Sequence, residues 1–424
     1  MSAVLTQVVK AWMDLGVVLV VPVFIFILGI FFKMKPGRAF RSAVLFAVSF
    51  TGVYLALNLL LDNIGPAAQA AVTRFGFKLE ILDVGWPVLA SITFGSRFFV
   101  IVFLGGLIAN MVMLKMRWTK TLDVDFQNYY HWIFGAAAVY FVTHNFLLAG
   151  LTGILLAVIT FKLADWTAPL VEDYWHIEGI SIPHLSTVGW APVYYALNWV
   201  IDRIPVIRDI DINPEGVEEK LGVFGEPMIF SLIIGGALGI FAGYDFSATL
   251  NLAINTAAAM TILPKMVGML MESMAPLSEA AREYMQDRFS DGKFYIGLDV
   301  AVLIGDPSVI TTGLLLIPIT IILAVILPGN KTLPFSDLGA LPVYIVWALA
   351  MSHGNIFRGV LMGTVCMAGV LLIATYFAPI FTDLANTVGF VSPVPGQAIT
   401  CLEGGQQIVS YVIVQIISLL KSIF

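Results

Sequence analysis

The sequence predicts an all-α polytopic membrane protein: two inverted repeats of five transmembrane helices with re-entrant hairpins, about 10–11 spans in all. Three observations predict it. The 424 residues are 59% hydrophobic and only 12% charged, about half the charged share of an ordinary soluble domain. Uncharged runs close to the ~20 residues that cross a bilayer core recur at 15–32, 42–61, 98–114, 227–244, 246–263, 307–330 and 359–381. Finally, short motifs recur in the same order. Leu28-Gly29-Ile30-Phe31 returns as Leu238-Gly239-Ile240-Phe241, and Pro66-Ala67-Ala68-Gln69-Ala70-Ala71 as Pro276-Leu277-Ser278-Glu279-Ala280-Ala281. Leu82-Asp83-Val84 returns as Leu298-Asp299-Val300, and His144-Asn145 as His353-Gly354-Asn355. One such match is near chance; four in order at offsets of 209 to 216 are not.

The elements follow in chain order. The first run has only Lys10 before it and no small-residue cleavage site after it, so it reads as a span and not a cleaved signal. The run at 132–161 is too long for one crossing and predicts two, turning near 145–150; 338–352 is a short span. Basic residues in the loops set the orientation. Lys33, Lys35, Arg38 and Arg41 follow the first run, whereas its counterpart at 242–245 has no basic residue. Arg74 and Lys78 follow the second, against Lys265, Arg282, Arg288 and Lys293 in the other half. Lys115, Arg117 and Lys120 follow the third, against Lys331 alone. Five spans per repeat turn the second copy upside down.

The predicted path starts outside, makes five crossings through 1–165, and returns to the cytoplasm near Lys162. A linker at 166–224 follows. Its stretch 185–201 is apolar but broken by Pro183, Gly189 and Pro192, which predicts a re-entrant hairpin, because broken backbone at membrane depth must be buried or line a cavity. The inverted repeat occupies 225–382, and the tail at 383–424 carries a last crossing that leaves Lys421 inside. Segments starting at Pro66 and Pro276 are expected to lie along the two membrane surfaces, or to pack as ordinary surface helices.

Ionisable groups inside such a chain are costly and mark a pathway or site. Asp83 and Asp299 occupy matched positions, each opening a Gly/Pro-broken stretch, the best sequence pointer to a transporter's site. The plainer alternative is that each caps its broken helix. His144 and His353 are a second matched pair, with Asn145 and Asn355 beside them; a neutral imidazole both donates to and accepts from a hydroxyl. In the linker, Glu178 and His184 flank an apolar stretch with a proline, an arrangement able to place a carboxylate and an imidazole, each a candidate general base, beside one cavity. Glu226 begins a span and suits either a ligand contact or a helix cap. Trp86 offers a stacking face or an interfacial anchor.

Walker, zincin and Ser/His/Asp patterns are absent, and no arginine-rich helix reads as a voltage sensor. Cys366 and Cys401 have neither metal-site nor disulfide spacing, so no metal and no cofactor is expected. The net charge of −6 gives no footprint for nucleic acid.

Several motifs carry a family resemblance: Asp62 to Ala68, Asp83-Val84-Gly85-Trp86-Pro87, Glu178 to His184, and Phe224-Gly225-Glu226-Pro227. So do Ala242 to Asp245, Ile296 to Asp299, and Leu327 to Phe335. Together they resemble the galactitol-type membrane subunit, enzyme IIC, of the bacterial phosphoenolpyruvate-dependent phosphotransferase system, and more distantly the ascorbate-type IIC proteins. Three stretches depart: Leu-Ser-Thr follows His184, Asp306-Pro307 replaces a histidine-bearing run, and the chain diverges after 382.

The resemblance implies a homodimeric permease of the inner membrane for a sugar alcohol or related sugar. A scaffold would hold a mobile core that moves substrate like an elevator. Phosphate would come from the phosphocysteine of a separate IIB protein charged by IIA, so the chain is a transport subunit of a phosphotransferase complex. The substrate would bind near Asp83, Trp86, His144, Asn145, Glu178, His184, Glu226, Asp299, His353 and Asn355. The rival reading is a secondary transporter of a small polar solute, driven by an ion gradient through the same acids.

Overall fold

In hydrocarbon no water competes for backbone hydrogen bonds, so apolar runs close their own as helices. The computed structural model describes residues 17–74, 80–125, 128–212, 227–286, 294–334, 336–390 and 397–423, and these are mostly helical. The first half runs α1 (Val17–Phe31), α2 (Pro36–Arg74), β1 (Ile81–Asp83), α3 (Trp86–Phe94), α4 (Phe99–Lys115), β2 (Thr121–Asp123), α5 (Tyr129–Thr143) and α6 (Phe146–Trp175). It ends with β3 (Ile180–Ser181), α7 (Leu185–Val188), α8 (Ala191–Ile201) and the short α9 (Pro205–Arg208). The second half runs α10 (Pro227–Ala242), α11 (Phe246–Gln286), β4 (Tyr295–Gly297), a 3-10 turn (Val300–Val302), α12 (Pro307–Ile326) and β5 (Thr332–Leu333). After it come α13 (Leu341–Tyr344), α14 (Val346–Met351), α15 (Ile356–Thr387), β6 (Ala398–Thr400), α16 (Leu402–Gly405) and α17 (Ile408–Ile423).

The strands correct the all-α prediction. They form two parallel three-stranded sheets, ordered β5-β1-β6 and β2-β4-β3. Ile81 lies opposite Thr332 on one side and Ala398 on the other. Ile296 lies opposite Leu122 and Ile180. Each sheet therefore takes its central strand from one half and its two edges from the other. Two or three residues per strand are too few for an alternating pattern to register in sequence.

Among the described residues α6, α12 and α15 are each long and apolar enough to cross a membrane; α3 with α4, bent by 94°, makes a fourth if taken as one span. The run at 132–161 does divide, at His144-Asn145. α2 and α11, of 39 and 41 residues, run through Pro66 and Pro276 without a break. The segments expected along the membrane surfaces are thus the ends of these long helices.

α1, α2, α10 and α11 pack on one another as one group, and the strand-bearing elements form a second. At the start of α2, Arg38 Nη2 lies 3.1 Å from Glu279 Oε2 of α11. At its end, Arg74 Nη1 donates to Ile240 O at 2.9 Å, beside the Gly243 turn. The basic loop and the turn without basic residues therefore sit at opposite ends of one helix.

The last helix packs beside the α5–α6 break. Lys421 Nζ donates to Val142 O at 2.9 Å, next to the α5–α6 break. The sequence places that break outside and Lys421 inside, and both cannot hold. α17 has 16 residues, about 24 Å of helix.

Candidate functional site

Strands that run parallel end together, and ligand sites form beyond their carboxyl ends. Here the residue after each strand matters. Asp83 closes β1, Asp123 closes β2 with Asp125 just beyond, and His184 follows β3. Asp299 follows β4, Asp337 follows β5, and Glu403 follows β6. All six strand ends bring a carboxylate or an imidazole into the same interior.

Around β5-β1-β6 the carboxylates bind backbone. Asp83 Oδ1 accepts from Gly85 N at 3.1 Å, where φ is +85° and a side chain would be strained. Its Oδ2 accepts from Asp337 N at 3.1 Å. Asp337 reciprocates, accepting from Trp86 N at 2.8 Å and Glu403 N at 3.1 Å. Four carboxylate oxygens thus hold the first turns after all three strands, where backbone at membrane depth would otherwise lack partners.

Around β2-β4-β3 and Glu403, side chains also meet one another. His131, buried on α5, places Nδ1 3.1 Å from Asn128 O and Nε2 2.8 Å from Glu403 Oε1. A carbonyl only accepts, so Nδ1 carries a proton. The contact with Glu403 then needs one more: imidazolium facing carboxylate, or imidazole facing carboxylic acid. Tyr130 Oη donates to the same oxygen at 3.2 Å. The His184 ring stands edge-on to His131 at 4.4 Å, and Ser186 Oγ lies 3.0 Å from its Nδ1. Asp299 caps the 3-10 turn through Ala301 N at 2.7 Å, and lies beside Asp125 within electrostatic reach of His131 and Glu403. On the far side, Asp123 Oδ1 accepts from Asp125 N and Asn128 Nδ2, both at 3.1 Å. Asn128, which orients His131, is itself held.

One ligand atom each from His131, His184 and Glu403 fall within 4.8 Å of one another, the raw material of a metal site. Two of those atoms are already 2.8 Å apart in a hydrogen bond, closer than neighbours at the corners of a tetrahedron around zinc. The arrangement suits hydroxyl groups. It offers donors and acceptors in one buried space, and each is held by a partner behind it.

Of the residues singled out from sequence, Asp83, His184 and Asp299 come together here, with Trp86 attached through its backbone. His144, Asn145, His353 and Asn355 stand instead at two helix breaks of one design. His144 ends α5 at φ +54° and Asn145 caps α6, accepting from Leu148 N at 3.0 Å. His353 has φ +52°, and Asn355 caps α15, accepting from Arg358 N at 3.0 Å. Gly354 between them admits no side chain, since a Cβ would lie 2.8 Å from Tyr174 Oη. Both histidines are exposed. Glu178 is exposed ahead of β3, apart from buried His184 beyond it. Glu226 lies outside the described residues.

His131, Glu403 and Asp337 escape a reading of single motifs. One weak signal points to Glu403: it stands four residues after Ile399 in Ile399-Thr400, as His184 stands four residues after Ile180 in Ile180-Ser181.

A family model described as the PTS system sugar-specific permease component, EIIC-GAT, matches residues 13–394. The galactitol-specific EIIC component of the PTS from Escherichia coli (strain K12) is 32% identical over 414 residues, 97% of this chain and 91% of the relative. The component of the same description from Escherichia coli O157:H7 matches to the same extent. A putative permease IIC component of strain K12 is 34% identical over 378 residues, 89% of this chain and 86% of the relative.

Proposed function

The chain belongs to the galactitol-type family of PTS sugar-specific permease components, integral proteins of the inner membrane, and on that premise we propose that it binds and imports a galactitol-like sugar alcohol at the His131–His184–Glu403 cluster. The observation that carries this is the convergence of six strand ends on one buried polar space. A polyol is a row of hydroxyls, each donor and acceptor, and Glu403, both imidazoles and Asp299 answer in kind.

The coupling is to a IIB partner carrying phosphocysteine, recharged by IIA. The substrate oxygen bonds to phosphorus, the phosphorus–sulfur bond breaks, and the cysteine leaves as thiolate. The hydroxyl proton passes to His184, with Glu403 in the role that the sequence offers to Glu178. The phosphorylated product no longer fits a site lined by carboxylates, which makes uptake one-way.

Movement is by an elevator: the strand-bearing group slides against α1, α2, α10 and α11, which hold a homodimer. Two inverted repeats, 1–165 and 225–382, supply both groups, while the linker and the tail enter as matching re-entrant hairpins. The crossed sheets, the paired helix breaks and the placement of Arg38 and Gly243 at opposite ends of α2 support this reading.

Purified protein screened calorimetrically against hexitols, pentitols and ketohexoses should bind a hexitol, and Glu403→Ala should abolish the heat. Vesicle uptake should follow phosphoenolpyruvate with IIB and IIA present. Uptake that instead follows a proton or sodium gradient would establish the ion-coupled carrier and discard this one.

A further inference from the structure

Between the two helix groups lies an apolar cavity of ≈ 260 Å³, bounded by α2, α10 and α11 on one side and α12 on the other. Its floor is buried, with Ile64 and Ile317 each 1% exposed, whereas its rim is open, with Phe241 at 45% and Ile322 at 52%. The hydroxyl of Thr256, also in the lining, donates to Leu252 O at 2.7 Å. Water needs two to four polar partners to occupy a cavity, and apolar cavities of about 150 Å³ stay dry yet take up small hydrocarbons. The natural occupant of this one is hydrocarbon.

A charge stands at the mouth. Arg74, exposed at the end of α2, donates from Nη1 to Ile240 O at 2.9 Å and Phe241 O at 3.3 Å, so it sits on the rim residue itself. Both bonds use one nitrogen of a five-donor fork suited to phosphate oxygens. The fork closes the C-terminal end of α10, where free carbonyls favour a cation.

We propose that this crevice is a phospholipid site: one acyl chain enters past Phe241 and Ile322 to the floor at Ile64 and Ile317, and the lipid phosphate rests on Arg74. Its position gives it a consequence for movement. A chain in the crevice fills space that the two helix groups share, so it binds the present arrangement better than one in which the crevice is closed, and stabilises it by that difference.

The test uses the full-length protein in bilayers of phosphatidylcholine containing phosphatidylglycerol with a photoreactive diazirine on one acyl chain. After illumination, adducts are mapped by mass spectrometry. Adducts concentrated on 234–241 and 314–322, several-fold above the lipid-facing stretch 104–111 of α4, are the expected result. Ala237→Trp, a change at an exposed lining position, should remove that excess. Arg74→Gln should lower labelling by the phosphatidylglycerol probe about fivefold, the effect of one cation near a lipid surface, and should lower labelling by an equivalent phosphatidylcholine probe as well, since both carry the phosphate that Arg74 would hold. Even labelling of all lipid-facing helices would overturn the proposal, and so would a disulfide between two protomers each carrying Ala237→Cys. The wild-type map alone decides the matter if a variant fails to fold.

Discussion

Two clusters at the strand ends use their polar groups in opposite ways. At β5-β1-β6, Asp83 and Asp337 direct all four oxygens at backbone N–H groups. At the other end His131, His184 and Glu403 face one another through side chains. A buried carboxylate bound to backbone holds a turn, and any ligand would have to unmake the fold to reach it. A side chain bound to a side chain exchanges one partner for a hydroxyl and leaves the backbone in place. Burial alone does not separate a structural acid from a functional one; the identity of its partner does.

The largest expected effect tests the structural member. Asp337→Ala orphans the N–H groups of Trp86 and Glu403 at about 1–3 kcal/mol each, so the thermal unfolding temperature should drop sharply. A variant that keeps wild-type stability and loses only binding would erase the distinction. Next comes Glu403→Ala, which removes a hydrogen-bonded charge worth about 2–3 kcal/mol, or about 30- to 150-fold in affinity by calorimetry, with a smaller change in stability. Glu403→Gln, which retains a donor toward His131, should recover part of it; equal loss in both variants would show that the carboxyl has no hydrogen-bonding role. Ser186→Ala frees the His184 ring and should weaken binding about fivefold, the worth of one neutral hydrogen bond, with the fold unchanged. Smallest is Asn145→Ala, a lost helix cap worth about 1 kcal/mol of stability. Its affinity for substrate should stay at wild type, and a many-fold loss would return the α5–α6 break to the binding site.

Charge in an apolar chain is conspicuous, which is why the sequence alone marks Asp83, Asp299 and His184 as candidates; both oxygens of Asp83 are taken by backbone N–H groups. The pairing of His144-Asn145 with His353 and Asn355 is legible too, since the two helix breaks match in detail. Their role is less so, because a histidine in the left-handed region and an asparagine cap look the same in sequence as a ligand pair. His131 hides among Tyr129, Tyr130 and Trp132, where one more ring breaks no pattern. Asp337 and Glu403 follow strands of two and three residues, and without those strands nothing in the sequence places them beside His131.

The crossed origin of the sheets has a consequence for how the protein is made. β1 leaves the ribosome long before either neighbour exists: Glu80 and Lys331, which flank the β1–β5 pair, are 251 residues apart. At about 5–20 residues per second, the early strand waits on the order of 10–50 s for a partner. During that interval the nascent chain sits in the membrane with unpaired amides that the insertion machinery or early helices must shelter. Neither half completes its sheets alone, so splitting the gene between the two halves should yield two fragments that mature only when synthesised together.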